Sequence, residues 1–188
     1  MADFETLVFD APADWVQAGS GRFTPVAPGV LETHGGPGML WYTCARFADF
    51  ELEVEWRCRD REDNSGVFLR FPDEELRKER PDFLKGLEVQ IDERGVDPEA
   101  GRMDSPLHRT GALYRLAPAS KRASHPVGEW NRFRIEARGR AVRVWLNGVE
   151  VCALDELPAD HPREGRIGLQ NHHAGSRVQF RAPRVLAL

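Results

Sequence analysis

The chain has 188 residues, enough for one domain with a sizeable core and too few for two of ordinary size. Hydrophobic residues make up 41% and charged ones 30%, which excludes a disordered chain. A formal net charge of −4, with Lys and Arg scattered rather than clustered, excludes nucleic acid as the main partner, and no stretch approaches the roughly 18 apolar residues of a membrane helix.

The opening Met1-Ala2-Asp3-Phe4-Glu5 is acidic and lacks the apolar run of a signal peptide, so a cytoplasmic protein is the expectation. Thr6 to Phe9 reads as a short strand, followed by a segment punctuated by Pro and Gly in which Trp15 and Phe23 plug one end of the core. Val30 to Thr33 is extended, then the turn His34-Gly35-Gly36-Pro37-Gly38 leads into Met39-Leu40-Trp41-Tyr42. Phe50, Leu52, Val54 and Trp56 alternate with Glu51, Glu53, Glu55 and Arg57, a clean amphipathic strand. Asn64 to Arg70 is the next strand, and residues 72–85 hold the one credible helix.

Leu87, Val89 and Ile91 then alternate with Glu88, Gln90 and Asp92. This strand carries two carboxylates and an amide on one face at intervals of about 7 Å, an arrangement that repels itself unless something answers it. Residues 93–109 are a long polar loop, and Thr110 to Leu116 returns to strand. Trp130 to Glu136 and Ala141 to Leu146 alternate again, and Asn147-Gly148 is the strongest short hairpin signal in the chain, with Val149 to Leu154 as the return strand. Gly165 to Gln170 and Gln179 to Leu186 close it. Cys44, Cys58 and Cys152 fit neither a zinc nor a disulfide spacing and read as reduced thiols. About ten to twelve short strands with almost no helix predict one all-β domain over residues 1–188, an antiparallel β-sandwich or jelly roll.

In order along the chain stand Gly38-Met39-Leu40-Trp41-Tyr42, Phe47-Ala48-Asp49-Phe50-Glu51-Leu52, Asn64-Ser65-Gly66-Val67-Phe68-Leu69-Arg70 and Gly86-Leu87-Glu88-Val89-Gln90-Ile91. Thr110-Gly111-Ala112-Leu113-Tyr114, Gly128-Glu129-Trp130-Asn131, Leu146-Asn147-Gly148 and Gly165-Arg166-Ile167-Gly168-Leu169-Gln170-Asn171-His172 follow. The series resembles the DUF1080 family, the 3-keto-disaccharide hydrolase domain, over residues 38–186. The resemblance implies a concanavalin A-like jelly roll and a hydrolase, or an eliminating lyase and hydratase, acting on 3-keto-glycosides. Members of that family are often exported, a departure from the cytoplasmic expectation.

A ketone at C3 acidifies the hydrogen on C2, so a base there generates an enolate that expels the glycosidic oxygen from C1. Such a site needs a base, an acid at the leaving oxygen, and a donor or cation at the ketone, which a divalent metal would also serve. On the sandwich, the polar residues of the central strands are expected to share a concave face: Glu53, Glu55, Arg70, Glu88, Gln90, Tyr114, Arg134, Gln170 and His172. Glu88 is the expected base or metal ligand and His172 the complementary acid or base. Arg70 and Arg134 suit enolate stabilisation, and Gln90, Gln170, Tyr114 and Glu53 suit substrate binding. The duller readings are cross-strand ion pairs for Glu53 and Glu55, a turn for Asn64-Ser65-Gly66, and opposite faces for His172 and His173. The alternative function is a carbohydrate-binding module of the concanavalin A-like type without chemistry. The sugar, the metal and the oligomeric state are left open.

Overall fold

The computed structural model describes residues 3–9, 13–76, 78 and 82–188, and these form thirteen strands in two antiparallel sheets. In chain order the first seven are β1 (Glu5–Thr6), β2 (Trp15–Gly19), β3 (Arg22–Ala27), β4 (Val30–His34), β5 (Gly38–Tyr42), β6 (Phe50–Cys58) and β7 (Asn64–Phe71). A one-turn helix α1 (Asp73–Leu76) and a 3-10 turn (Phe83–Lys85) precede β8 (Leu87–Asp92). Then come β9 (Asn131–Arg138), β10 (Ala141–Leu146), β11 (Val149–Leu154), β12 (Arg166–Asn171) and β13 (Val178–Ala187). The larger sheet runs β11-β10-β9-β6-β13-β4-β3 with β1 paired to β13, and the smaller runs β2-β5-β12-β7-β8.

The period-two pattern decides what goes between them. Leu52, Val54 and Trp56 of β6 and Phe133 and Ile135 of β9 meet Val67 and Leu69 of β7 and Leu87, Val89 and Ile91 of β8, all essentially without exposure. Each such side chain contributes about 1.5–3 kcal/mol of burial, which makes this layer the main source of stability. The hairpin at Asn147-Gly148 is present, with both residues at positive φ (52° and 81°) as a mirror-image turn requires.

Several elements differ from expectation. The segment around Trp15 and Phe23 forms two strands, β2 and β3, and both rings are buried in the core, Trp15 within 5.2 Å of Phe9 and of Tyr42. Of the expected first strand, Thr6 to Phe9, only Thr6 falls in the observed β1 (Glu5–Thr6). The helix expected within 72–85 shrinks to α1 and the 3-10 turn, and its positions 77 and 79–81 lie outside the described residues. Thr110 to Leu116 is not a strand: Gly111 (φ 87°) and Arg115 (φ 62°) bend it, yet it hugs the edge of β8. The Gly111 N–H donates to the Gln90 carbonyl at 2.9 Å and the Tyr114 N–H to the Glu88 carbonyl at 2.9 Å. Cys58 and Cys152 are buried free thiols and Cys44 is an exposed one. Among the described residues, no helix is long and apolar enough to cross a membrane.

Candidate functional site

The outer face of the smaller sheet is where the second half of the alternation points. Register places Glu88 opposite Phe68, Gln90 opposite Gly66 and Asn64 opposite Asp92 across β7 and β8. On the other side of β7, Gly168 stands opposite Phe68 and also opposite Trp41, and Gln170 stands opposite Met39. One half of this face is apolar: Met39, Trp41, Phe68 and Phe71 form a second cluster, with Trp41 stacked on Phe71 at 4.2 Å. Leu76 and Phe83, from the excursion between β7 and β8, cover it. Gly168 is obligatory here, because a Cβ would fall 2.3 Å from the Trp41 ring. The other half, holding Glu88, Gln90 and Gln170, is left open.

Asp92 builds the wall beside that opening. Its carboxylate is fully buried and accepts from the Arg94 N–H (2.9 Å) and the Val96 N–H (3.0 Å), while the Thr110 hydroxyl accepts from the Asp92 N–H (3.0 Å). These bonds bend the chain after β8 so that Arg94, Val96 and Pro98 face back over the sheet. Tyr114 forms a further wall, its ring held edge-on against the buried His108 at 5.0 Å. The result is a cavity of 530 Å³, within the usual range for small-molecule sites, with Asn64, Glu88, Gln90, Arg94, Tyr114, Gln170, Asn171, His172 and His173 among its lining residues.

Buried polar atoms normally find partners, and those without one single out a neighbourhood for scrutiny. Among the described residues six buried side-chain atoms lack a hydrogen bond, and four belong to residues of this cavity: Asn64 Oδ1, Arg94 Nε, Gln170 Oε1 and Asn171 Oδ1.

Glu88 is the most perturbed group in it. Burial pushes its carboxyl up to about 8, against 4.5 ordinarily, and the Gln170 side-chain amide, which donates to it, works only weakly the other way. The carboxyl group lies directly over Gly66, where a Cβ would come within 2.3 Å of Glu88 Oε1. Gly66→Ala is therefore expected to force the carboxyl off its seat at a cost of about 1–3 kcal/mol, a Tm loss of roughly 2–10 °C. Combining it with Glu88→Ala should restore most of that loss in thermal denaturation; additive losses would mean that the two positions do not touch.

His172 sits at the mouth of the cavity. Desolvation by the surrounding chain and the neighbouring His173 hold its imidazole below the usual value, which favours the neutral ring. The two Nδ1 atoms are 3.1 Å apart, a spacing that allows one N–H to be shared and disfavours two charged rings. This corrects the expectation of opposite faces: β12 ends at Asn171, and beyond it the strand alternation no longer applies.

Five expected residues thus come together: Glu88, Gln90, Tyr114, Gln170 and His172. Three do not. Glu53 and Arg134 lie on the outer face of the larger sheet, where Glu53 pairs with Arg132 and Arg184, Arg134 with Glu51 at 2.7 Å, and Glu55 with Arg181 at 2.5 Å. Arg134 also lies over Trp145, 4.6 Å from the ring centroid. Arg70 takes φ 51°, which turns it off the face; its guanidinium is fully buried against the Ala48 and Gly139 carbonyls, both at 2.7 Å. The cavity's guanidinium is Arg94, and with Asn64, Asn171 and His173 it was not among the expected site residues. One signal was there for Asn64: it shares the parity of Gly66 and Phe68 on β7. Among the described residues no three His, Cys, Asp or Glu side chains are grouped to hold a metal ion, and the Asp92 carboxylate accepts from the Arg94 and Val96 N–H groups and from the Asn64 side-chain amide.

The family model of the 3-keto-alpha-glucoside-1,2-lyase-like domain matches residues 5–186. The chain belongs to this family. A relative of this 3-keto-alpha-glucoside-1,2-lyase-like domain, a Bacteroides thetaiotaomicron protein named 3-keto-disaccharide hydrolase, is 26% identical over 212 residues, covering 94% of this chain and 71% of that protein. Its fold is that of jelly rolls: a candidate glycosyl hydrolase from Parabacteroides distasonis superposes with a TM-score of 0.75 at 23% identity, covering 99% of this chain and 100% of the other. The carbohydrate binding module CBM66 from Bacillus subtilis does so with a TM-score of 0.62 at 13% identity, covering 93% and 96%. At those identities the structural likeness speaks for the fold alone.

Proposed function

We propose that this protein cleaves the glycosidic bond of 3-keto-glycosides by elimination and hydration, with Glu88 as the acid and His172 as the base. The observation that supports this reading is one cavity lined by both side chains, with burial pushing the Glu88 carboxyl up to about 8 and the His172 imidazole held below its ordinary value. The expectation was Glu88 as base or metal ligand with His172 as the complementary acid or base; the raised Glu88 carboxyl and the lowered His172 imidazole support Glu88 as the acid and His172 as the base. His172 takes the proton from C2, and the electron pair left behind becomes the enolate on the C3 oxygen, which the Arg94 guanidinium is suited to stabilise. Collapse of the enolate forms the C1–C2 double bond and breaks the C1–O bond, while the Glu88 carboxyl delivers its proton to the departing oxygen. Water then adds: its oxygen bonds to C1 as the Glu88 carboxylate takes its proton, and C2 receives a proton from the His172 imidazolium, which at the mouth of the cavity exchanges with solvent before returning it. The net reaction is hydrolysis.

The test is to incubate the protein with a 3-keto-disaccharide in deuterated water and follow the release of 3-keto-glucose by NMR. Release with deuterium at C2 at early times is expected; release without it would replace elimination by direct displacement. The fold likeness to CBM66 gives the second reading, a binding module. Saturable binding of the 3-keto-disaccharide without release of either sugar would favour that module and end the catalytic proposal.

A further inference from the structure

We infer that His161 holds the leaving group, accepting a hydroxyl of the departing sugar beside the bond that Glu88 protonates, an inference that rests on the glycoside-cleaving reading above. The cavity does not end at Glu88. Phe83, Leu84, Glu88 and Tyr114 line the 530 Å³ space and also an adjoining 190 Å³, so the same trough continues past the carboxyl. His172 and His173 line the first part alone, and His161 lines the second alone. The substrate runs in the same order. C2 faces the base, the glycosidic oxygen faces the acid, and the leaving group lies past the acid, away from the base. With His172 as the base and Glu88 as the acid, that direction leads to His161.

His161 is built into the wall. It lies on the connection between β11 and β12, which Leu157 anchors: the Leu157 side chain is buried, its N–H donates to the Arg140 carbonyl at 2.9 Å, and the Arg140 guanidinium donates to its carbonyl. The His161 N–H donates to the Pro158 carbonyl at 3.1 Å, and its imidazole is only 14% exposed. Nδ1 stands 3.3 Å from the Asp160 carboxylate. The backbone N–H of Asp160 and this imidazole hold that carboxyl below the usual carboxylate range. A carboxylate only accepts, so Nδ1 carries the proton and Nε2 presents a lone pair. Among the described residues Nε2 makes no hydrogen bond, and it is not one of the atoms sealed from solvent. Arg115, the other charged side chain that this end adds, is engaged with Glu99 at 2.7 Å and offers donors only. A sugar leaving group carries a hydroxyl next to the glycosidic oxygen, which is what a free imidazole acceptor at this place can take.

The experiment compares two substrates that differ in the leaving group. One is 3-keto-maltose, oxidised on its non-reducing ring; the other is methyl 3-keto-α-glucoside, with the same linkage and no hydroxyl on the group that departs. His161→Phe keeps a flat ring and removes the acceptor. It should lower kcat/KM for the disaccharide about tenfold, mostly through KM, and leave the methyl glycoside within about twofold. His161→Gln, whose side-chain oxygen reaches about as far as Nε2, should recover part of the loss. A merely structural role would weaken both substrates together, so equal losses on the two, or an unchanged disaccharide, would overturn the inference. Calorimetry with the same compounds makes the comparison without turnover: tighter binding of the disaccharide that disappears in His161→Phe is expected, and no binding, or a preference that survives the substitution, refutes the assignment. That binding pattern without release of either sugar would sustain His161 as the reader of the second sugar and refute the catalytic reading alone.

Discussion

Glu88→Gln is expected to lower turnover of a 3-keto-glycoside by about 10²–10⁴-fold and to stabilise the protein at alkaline pH. The first effect follows from removing the acid at the leaving oxygen while keeping the side chain's size. The second follows from linkage. In the unfolded chain the Glu88 proton leaves near 4.5, whereas in the folded chain it is held up to about 8. The folded state therefore binds the extra proton, its contribution to stability is fully present below pH 4.5, and it is lost as pH rises through 8. A glutamine carries no such proton and escapes the loss. Because Glu88 opens on a solvent-accessible cavity, a difference on the order of 2–4 kcal/mol is expected at pH 9, or roughly 5–15 °C in Tm, shrinking toward acid pH. The activity profile should show the same group: wild-type turnover falls as Glu88 ionises near pH 8, and falls again on the acid side where His172 becomes protonated, below the ordinary imidazole value. Parallel Tm curves for wild type and variant from pH 5 to 9 would make Glu88 an ordinary carboxylate and remove the basis of its assigned role.

The face that bears Glu88 was legible from periodicity because β8 is regular from Leu87 to Asp92 and its Leu87, Val89 and Ile91 leave no choice of inner side. The same alternation in β6 is just as clean, and there it misled. Periodicity says which residues turn away from the core, not which sheet they turn away from, and β6 pairs with β9 and β13 in the larger sheet. Glu53 therefore lies buried beneath Arg132 and Arg184 on the far side of the molecule. Alternation also fails at its ends. Arg70 shares the parity of Phe68, but a positive φ rotates it away; His172 falls one residue past the last paired position of β12. Arg94 was illegible for a different reason: what aims it is the buried Asp92 carboxylate gathering the N–H groups of residues 94 and 96, a local turn whose outcome depends on Asp92 being sealed under Thr110. The apolar half of the outer face was equally hidden, since Met39-Leu40-Trp41-Tyr42 is buried on both sides and a continuous apolar run carries no phase.

Arg70→Met is expected to unfold the protein more readily while sparing the chemistry of whatever remains folded. Arg70 leaves the smaller sheet at the end of β7 and reaches into the larger one, where its Nε and Nη1 donate to the carbonyls of Ala48 and Gly139 at 2.7 Å. Its Nη2 lies 3.3 Å from Asp49 Oδ1, which in turn accepts from the Gly139 N–H at 2.8 Å. The guanidinium thus ties the strand entering β6 and the β9–β10 hairpin to the opposite sheet. Methionine has the length but offers no donors, leaving two carbonyls and part of a carboxylate without their partner. The expected cost is about 3–5 kcal/mol, or roughly 6–20 °C in Tm. Lysine should recover little, because one ammonium cannot reach three acceptors fixed in the geometry of a planar fork. Since Arg70 does not line the cavity, kcat/KM of the folded variant at low temperature should stay within about threefold of wild type. Full thermal stability with lost turnover would reverse the assignment and return Arg70 to the catalytic face, whereas loss of stability with retained turnover identifies it as the clamp that holds the sheets, and with them the cavity, in register.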